Sequence, residues 1–221
     1  MGNLTRIAYE VADGVAIVSL NRPRKRNALD GETVSELAGV LQAAEEAHEV
    51  RVVLLRGEGP DFCAGADLAE LERMAATSDP LENLDDAAAL GQLFIRMRRL
   101  RRPIVGAVHG HALAGGAGLA TACDMVVAAE DAVFGYPEVH LGFVPAMVMA
   151  LLRRSVGEKA AFELVALGDR IGAAEAHRLG LVNRLFPAEG FDAAARDYAR
   201  SLAGRSPSAL ALIKRLLYGM D

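Results

Sequence analysis

Residues 103–128 read PIVGAVHGHALAGGAGLATACDMVVA, and their order decides the fold. IVGAV (104–108) is a short apolar run of the kind that forms a buried strand. ALAGGAGLA (112–120) crowds glycine and alanine together, which predicts a turn that something approaches closely, and then a helix. MVVA (125–128) predicts the next strand. A strand, a small-residue turn, a helix and another strand make the repeating unit of an α/β protein. Nothing in ALAGGAGLA titrates, so the stretch can offer backbone amides but no proton.

The same design occurs upstream. VVLL (52–55) predicts a strand closed by GEGP (57–60), after which FCAGADLAEL (62–71) is expected to turn into a helix. The two turns are Ala64-Gly65-Ala66 and Ala114-Gly115-Gly116. A helix start leaves N–H groups without partners and directs a partial positive charge outward. Two such turns facing each other would aim two amides at one oxygen, forming an oxyanion hole. The alternative, tight packing of helices on a sheet, stays open on spacing alone.

Outward from these turns the pattern continues. VAIVSL (15–20) predicts a strand, ended by Asn21, Arg22 and Pro23. Asp30 is placed to cap a helix carrying Val34, Leu37, Leu41 and Ala44 at helical spacing. A long helix is expected over residues 84–101, stopping before Pro103. AVF (132–134) predicts a further strand, and beyond Pro145 the pattern is largely helical, ending in an amphipathic stretch over 208–217. No linker or repeat divides the chain.

With 221 residues, 52% hydrophobic and 24% charged, the chain has the composition of a globular protein with a sizeable core. Its net charge of −5 argues against a default nucleic-acid binder. Cys63 and Cys123, the two cysteines, are far apart and lack metal-ligand spacing, which fits free thiols and a cytoplasmic location. The charged N-terminal stretch does not read as a secretory signal, and no window is long and apolar enough to span a membrane.

Several chemistries are poorly matched. GGAGLAT has G-x-G at Gly116 and Gly118, but Thr121 stands where a dinucleotide fingerprint needs its third glycine. Neither G-x-x-x-x-G-K-[ST] nor G-x-S-x-G occurs. His109, His111 and His140 lack partners at metal-ligand or triad spacing, so no metal is expected. Arg96, Arg98, Arg99, Arg101 and Arg102 form a basic run on a helix, read as a solvated or inter-subunit face before an anion or RNA contact. FGYPE (134–138) supplies an acid: Glu138 follows a proline-fixed turn among Val139, Leu141, Phe143 and Val144. An apolar setting raises a carboxyl pKa and suits it to general acid–base work. A surface glutamate on a loop is the other reading of the local pattern.

Together NRPRKRNAL (21–29), FCAGADL (62–68), the 103–128 stretch, FGYPEVHLG (134–142) and GDRIGAAEAHRLGLVNRLFP (168–187) resemble the crotonase family, the enoyl-CoA hydratase/isomerase superfamily. The resemblance runs in order along nearly the whole chain. It implies an α/β, crotonase-like spiral of ββα turns over 1–190 and a C-terminal helical segment over 191–221, shorter than in similar proteins. It implies a substrate carried as a coenzyme A thioester, no permanently bound cofactor, and a homo-oligomer, a trimer or hexamer. Ala66 and Gly115 become the oxyanion amides, and Glu138 the catalytic carboxylate. Coenzyme A contacts fall on Arg24, Ala28, Ala64, Asp67 and Leu68, with Asp67 also bracing its turn.

One departure bears on the reaction. Family hydratases with two catalytic glutamates carry the first within G-G-x-E-L, where this chain has Gly118. Enoyl-CoA hydration is placed narrowly first, 3-enoyl-CoA to 2-enoyl-CoA isomerisation second, and a non-catalytic CoA- or RNA-binding role last.

Overall fold

The computed structural model describes residues 4–67 and 80–219. Strands β1 (Ile7–Ala12), β2 (Val15–Leu20), β3 (Val52–Gly57), β4 (Ile104–Val108), β6 (Met125–Ala129) and β9 (Arg184–Phe186) form one sheet in the order β1-β2-β3-β4-β6-β9. Only β1 runs antiparallel; the others pair parallel along the row. Strands β5 (His111–Leu113), β7 (Val133–Gly135) and β8 (Arg170–Gly172) form a second, smaller sheet. Isolated bridges Cys63↔Ala112 and Leu29↔Ala66 extend that layer.

Each passage of the chain thus lays one strand in the large sheet, one strand or bridge in the small layer, and then a helix. The helices are α1 (Gly31–Glu46), α2 (Pro80–Arg99), α3 (Gly115–Ala122), α4 (Ala146–Val156), α5 (Glu158–Leu167), α6 (Ala173–Leu179), α7 (Phe191–Ala203) and α8 (Pro207–Tyr218). This is the expected ββα spiral with helices gathered at the end. The parallel strands are apolar runs because both faces are covered: β2 and β4 are buried at every position. Asp30 caps α1 as expected, its carboxylate accepting from the Thr33 N–H at 2.8 Å. The helix expected over 84–101 is α2, which begins four residues earlier and ends two residues earlier. The helix into which FCAGADLAEL (62–71) is expected to turn falls on residues 68 onward, outside the described residues. Both cysteines are free and buried.

The amphipathic stretch over 208–217 forms the last helix, and its apolar side chains face outward. Leu212, Ile213, Leu216 and Leu217 are exposed, whereas Lys214 is buried. Its ammonium donates to the carbonyls of Met97 (2.8 Å) and Arg102 (3.2 Å) and to Asp124 Oδ2 (2.7 Å). A polar anchor, not an apolar stripe, docks α8 on the core. No helix among the described residues is long and apolar enough to cross a membrane.

Candidate active site

The second layer brings the predicted turns together. Leu29 N–H donates to the Gly65 carbonyl (2.7 Å) and Asp67 N–H donates to the Leu29 carbonyl (2.8 Å). That ladder uses the groups flanking Ala66 and turns the Ala66 N–H away from Leu29. A Cβ built on Gly65 would sit 2.9 Å from Ala114 Cβ and 3.5 Å from Gly115 N, so the two turns touch. Gly65 has φ +101°, a conformation a side chain would strain. Among the described residues, neither the Ala66 nor the Gly115 amide donates to the protein. Gly115 opens α3, where its N–H has no helical acceptor. Ala66 is exposed and Gly115 half-buried, so both amides are reachable.

The three glycines of this helix do different things. A Cβ on Gly116 would lie 2.2 Å from the Cys63 carbonyl oxygen, so this glycine exists for the neighbouring backbone. On Gly118 it would lie 2.7 Å from Val148 Cγ2 and 2.9 Å from Phe94 Cζ. On Gly115 it would meet only Leu29 Cδ1 at 3.4 Å and Leu90 Cδ2 at 3.7 Å. Both readings of the small-residue stretch therefore apply: packing at Gly116 and Gly118, and an accessible amide at Gly115.

Glu138 reaches the same place through sheet register. β5 and β7 run parallel with Leu113 opposite Gly135, and the Ala114 N–H donates to the Gly135 carbonyl (2.9 Å). Gly115 lies two residues beyond its strand partner and Glu138 three beyond its own, at one end of one sheet. Pro137 starts a 3₁₀ turn, Pro137–Leu141, that carries the carboxylate. Its Oε2 is buried with no hydrogen-bond partner. Burial raises the Glu138 pKa, with partial relief from its own backbone N–H. An unpartnered buried carboxylate costs stability unless a ligand answers it.

Four of the five residues assigned to the coenzyme are described. Arg24 is exposed on the 3₁₀ turn Pro23–Lys25, beside a depression of ≈ 390 Å³ that Arg6, Arg22 and Lys25 also line. Arg24 and Lys25 make no ion pair among the described residues. Ala28 is buried and Ala64 half-buried, the Ala64 N–H donating to the Arg26 carbonyl (2.9 Å). Asp67 is buried and braces its turn: its carboxylate accepts from Arg22 at 2.8 Å, and Arg22 also donates to the Ala28 carbonyl at 2.6 Å. Leu68 lies outside the described residues.

Other groups emerge only from the structure. Asp61 accepts from Arg26 Nε (2.7 Å) and from the His111 N–H (3.0 Å) and meets His111 Nδ1 at 2.6 Å. These bonds outweigh burial and hold its pKa down to about 2. His111 is therefore part of a brace, and no cluster of three metal-ligating side chains occurs among the described residues. The arginine run is dispersed rather than presented as a patch: Arg96 reaches Gln42, Arg101 Glu45 and Arg102 the Ala47 carbonyl, while Arg98 stacks on Tyr218 at 3.4 Å. Tyr136 is fully buried, its hydroxyl 2.7 Å from Thr121 Oγ1 on α3. In sequence, the only trace of that pair is a polar residue in each of two apolar segments.

The chain is similar to proteins of known class. The family described as enoyl-CoA hydratase/isomerase matches residues 10–218. A Thermus thermophilus protein provisionally named an enoyl-CoA hydratase is 45% identical over 206 residues, spanning 93% of this chain and 81% of that protein. The 2,3-dehydroadipyl-CoA hydratase of Escherichia coli K12 is 38% identical, spanning 92% and 78%. A crystal structure of an enoyl-CoA hydratase from Shewanella pealeana superposes with TM-score 0.93 at 31% identity, covering 99% of this chain and 81% of that one.

Proposed function

Because the chain belongs to the enoyl-CoA hydratase/isomerase family, we propose that it hydrates 2-enoyl-CoA thioesters with Glu138 as the single proton-moving carboxylate. The thioester oxygen accepts from the Ala66 and Gly115 amides, and the N-terminus of α3 adds its dipole. Each donor that strengthens as an enolate forms contributes about 3 kcal/mol. Ionised Glu138 takes a proton from water as the water oxygen bonds to C3. The electron pair of the double bond moves into the enolate, and Glu138 then returns a proton to C2. The buried, unpartnered Oε2 of Glu138, on the segment that the β5–β7 register sets at the same sheet end as the undonated Gly115 amide, is the observation that carries this reading.

A second reading, isomerisation of 3-enoyl-CoA, draws support from Gly118. Phe94 and Val148 fill the space next to Gly118, the position at which two-glutamate hydratases carry their first glutamate. One carboxylate suffices to remove a proton from C2 and return it at C4. Incubation with crotonyl-CoA and with a 3-enoyl-CoA, following both products in wild type and Glu138→Gln, separates the two. Water adduct from crotonyl-CoA supports hydration; only double-bond migration supports isomerisation; neither product overturns both.

Coenzyme A serves as the substrate's handle and no resident cofactor is required. Arg24 and Lys25 at the ≈ 390 Å³ depression suit its phosphates, and the family resemblance assigns Ala28, Ala64, Asp67 and Leu68 to the rest of the coenzyme. The exposed apolar side chains of Leu141, Phe143, Val144 and Phe162 fit burial in a homo-oligomer, a trimer or hexamer. A cytoplasmic location accords with the free thiols.

A further inference from the structure

Gly115 and Gly118 are three residues apart on α3 and share a face of that helix. Opposite them on α2 stand Leu90 and Phe94, four residues apart and likewise on one face. Leu90 faces the position of a Gly115 side chain at 3.7 Å, and Phe94 that of a Gly118 side chain at 2.9 Å. An apolar wall therefore descends one helical turn from the reachable amide of Gly115. Behind it lies a groove of ≈ 350 Å³, lined by Phe94 with Gly91, Ile95, Met147, Leu151 and Tyr218 among others. Phe94 is 2% exposed, and its ring is common to both spaces: it packs on Gly118 and lines the groove.

We propose that Phe94 sets the length of acyl chain the site accepts, closing the pocket against the groove that would otherwise take the distal carbons. The inference rests on the thioester oxygen binding at Ala66 and Gly115. A chain leaving that point along the Gly115–Gly118 face meets Phe94 within one turn. Short acyl groups end before the ring. Longer ones need the space it fills. Removing the ring opens the Gly118 face of α3 toward the groove without altering Glu138 or either amide. Gly118 permits this arrangement, because any side chain there would occupy the position of the ring.

The test titrates butyryl-CoA and octanoyl-CoA, which have no double bond to react, into the full chain by calorimetry. Wild type should bind octanoyl-CoA no more tightly than butyryl-CoA. In Phe94→Ala the octanoyl-to-butyryl affinity ratio should rise at least about tenfold, since each newly buried methylene strengthens binding about fourfold. Phe94→Leu, which keeps most of the core volume, should raise the ratio less and serves if the alanine variant does not fold. Ile95→Ala, on the groove but not on Gly118, should leave the ratio unchanged. An unchanged ratio in a folded Phe94 variant overturns the inference, as does a wild type that already prefers octanoyl-CoA. A wild type that binds butyryl-CoA but turns over no enoyl-CoA overturns the proposed reaction, while the ratio still decides the role of Phe94. Failure of both thioesters to bind overturns both.

Discussion

The hydroxyl of Tyr136 and the Oγ1 of Thr121 lie 2.7 Å apart in the fully buried space between β7 and α3. Thr121 also donates to the Ala117 carbonyl at 2.7 Å, so Tyr136 is the donor to Thr121. This bond ties the segment that carries Glu138 to the helix that begins with Gly115. Tyr136→Phe removes it without leaving a charged group unpaired and should cost about 1 kcal/mol in denaturant unfolding. If the bond aligns acid and amide, kcat should fall several-fold while KM changes little. Equal loss in both would assign Tyr136 to packing alone.

Glu138→Gln keeps the size of the side chain and removes the carboxylate proposed as the base. Turnover should fall at least about 10²-fold with thioester binding retained. Stability should move the other way. The folded-state pKa of Glu138 is raised, so the native state holds its proton longer than the unfolded chain. The wild type therefore loses stability as pH rises from the ordinary glutamate range through the raised value, and the cost is complete above it. Glu138→Gln should melt higher than wild type at neutral pH, and the advantage should vanish below the ordinary glutamate range. A variant that melts lower at neutral pH would mean that Glu138 has partners in the free enzyme.

Gly118→Glu tests how the missing first carboxylate is accommodated. Its Cβ alone would fall 2.7 Å from Val148 Cγ2 and 2.9 Å from Phe94 Cζ. The single variant should be destabilised by overpacking of about 1–3 kcal/mol or more. Adding Phe94→Ala should recover stability beyond the sum of the separate effects, a coupling that a double-mutant cycle measures. Additive effects would mean that the glutamate leaves this space altogether.

Much of this was legible. The bounds expected for β2 and β4 are those observed, because buried parallel strands are unbroken apolar runs. β1 escaped notice because four of its six residues are exposed, among them Glu10. β5, β8 and β9 have three residues each, too short for a periodic signal, and owe their pairing to the turns beside them. The contact of the two small-residue turns was legible in their shared pattern, and the partial burial of Glu138 in the apolar residues around it. Phe94 was not, since an aromatic residue on a helix gives the same pattern whether it fills a core or bounds a pocket.

Lys214 contradicts its helix's apolar pattern and should prove costly to remove. Lys214→Ala leaves the Asp124 carboxylate, which already has one buried oxygen without a partner, facing two carbonyls with no cation. Breaking a buried pair from one side costs about 3–5 kcal/mol. Replacing both partners, Lys214→Met with Asp124→Asn, should cost much less. Chemical denaturation of the wild type and these two variants checks this, and an equal loss in the single and double variants would show that the pair is not what holds α8.

Ala114 occupies backbone that favours glycine, with φ 48° and ψ −123° immediately before the Gly115 amide. A residue with a Cβ held there stores about 1–3 kcal/mol of strain. The strain is sustained by the bond from the Ala114 N–H to the Gly135 carbonyl and by the buried helix that follows. Ala114→Gly relieves it but gives the unfolded chain more freedom, an opposing effect of about 0.4–1 kcal/mol. The net should be a gain near 1 kcal/mol, or about 2–4 °C in Tm for a chain of this size. If the strain also fixes the direction of the Gly115 N–H, the more stable variant should turn over more slowly, with kcat reduced and thioester binding little changed. Thermal unfolding beside steady-state kinetics gives both answers, and a variant that melts lower than wild type would show that Ala114 is not strained.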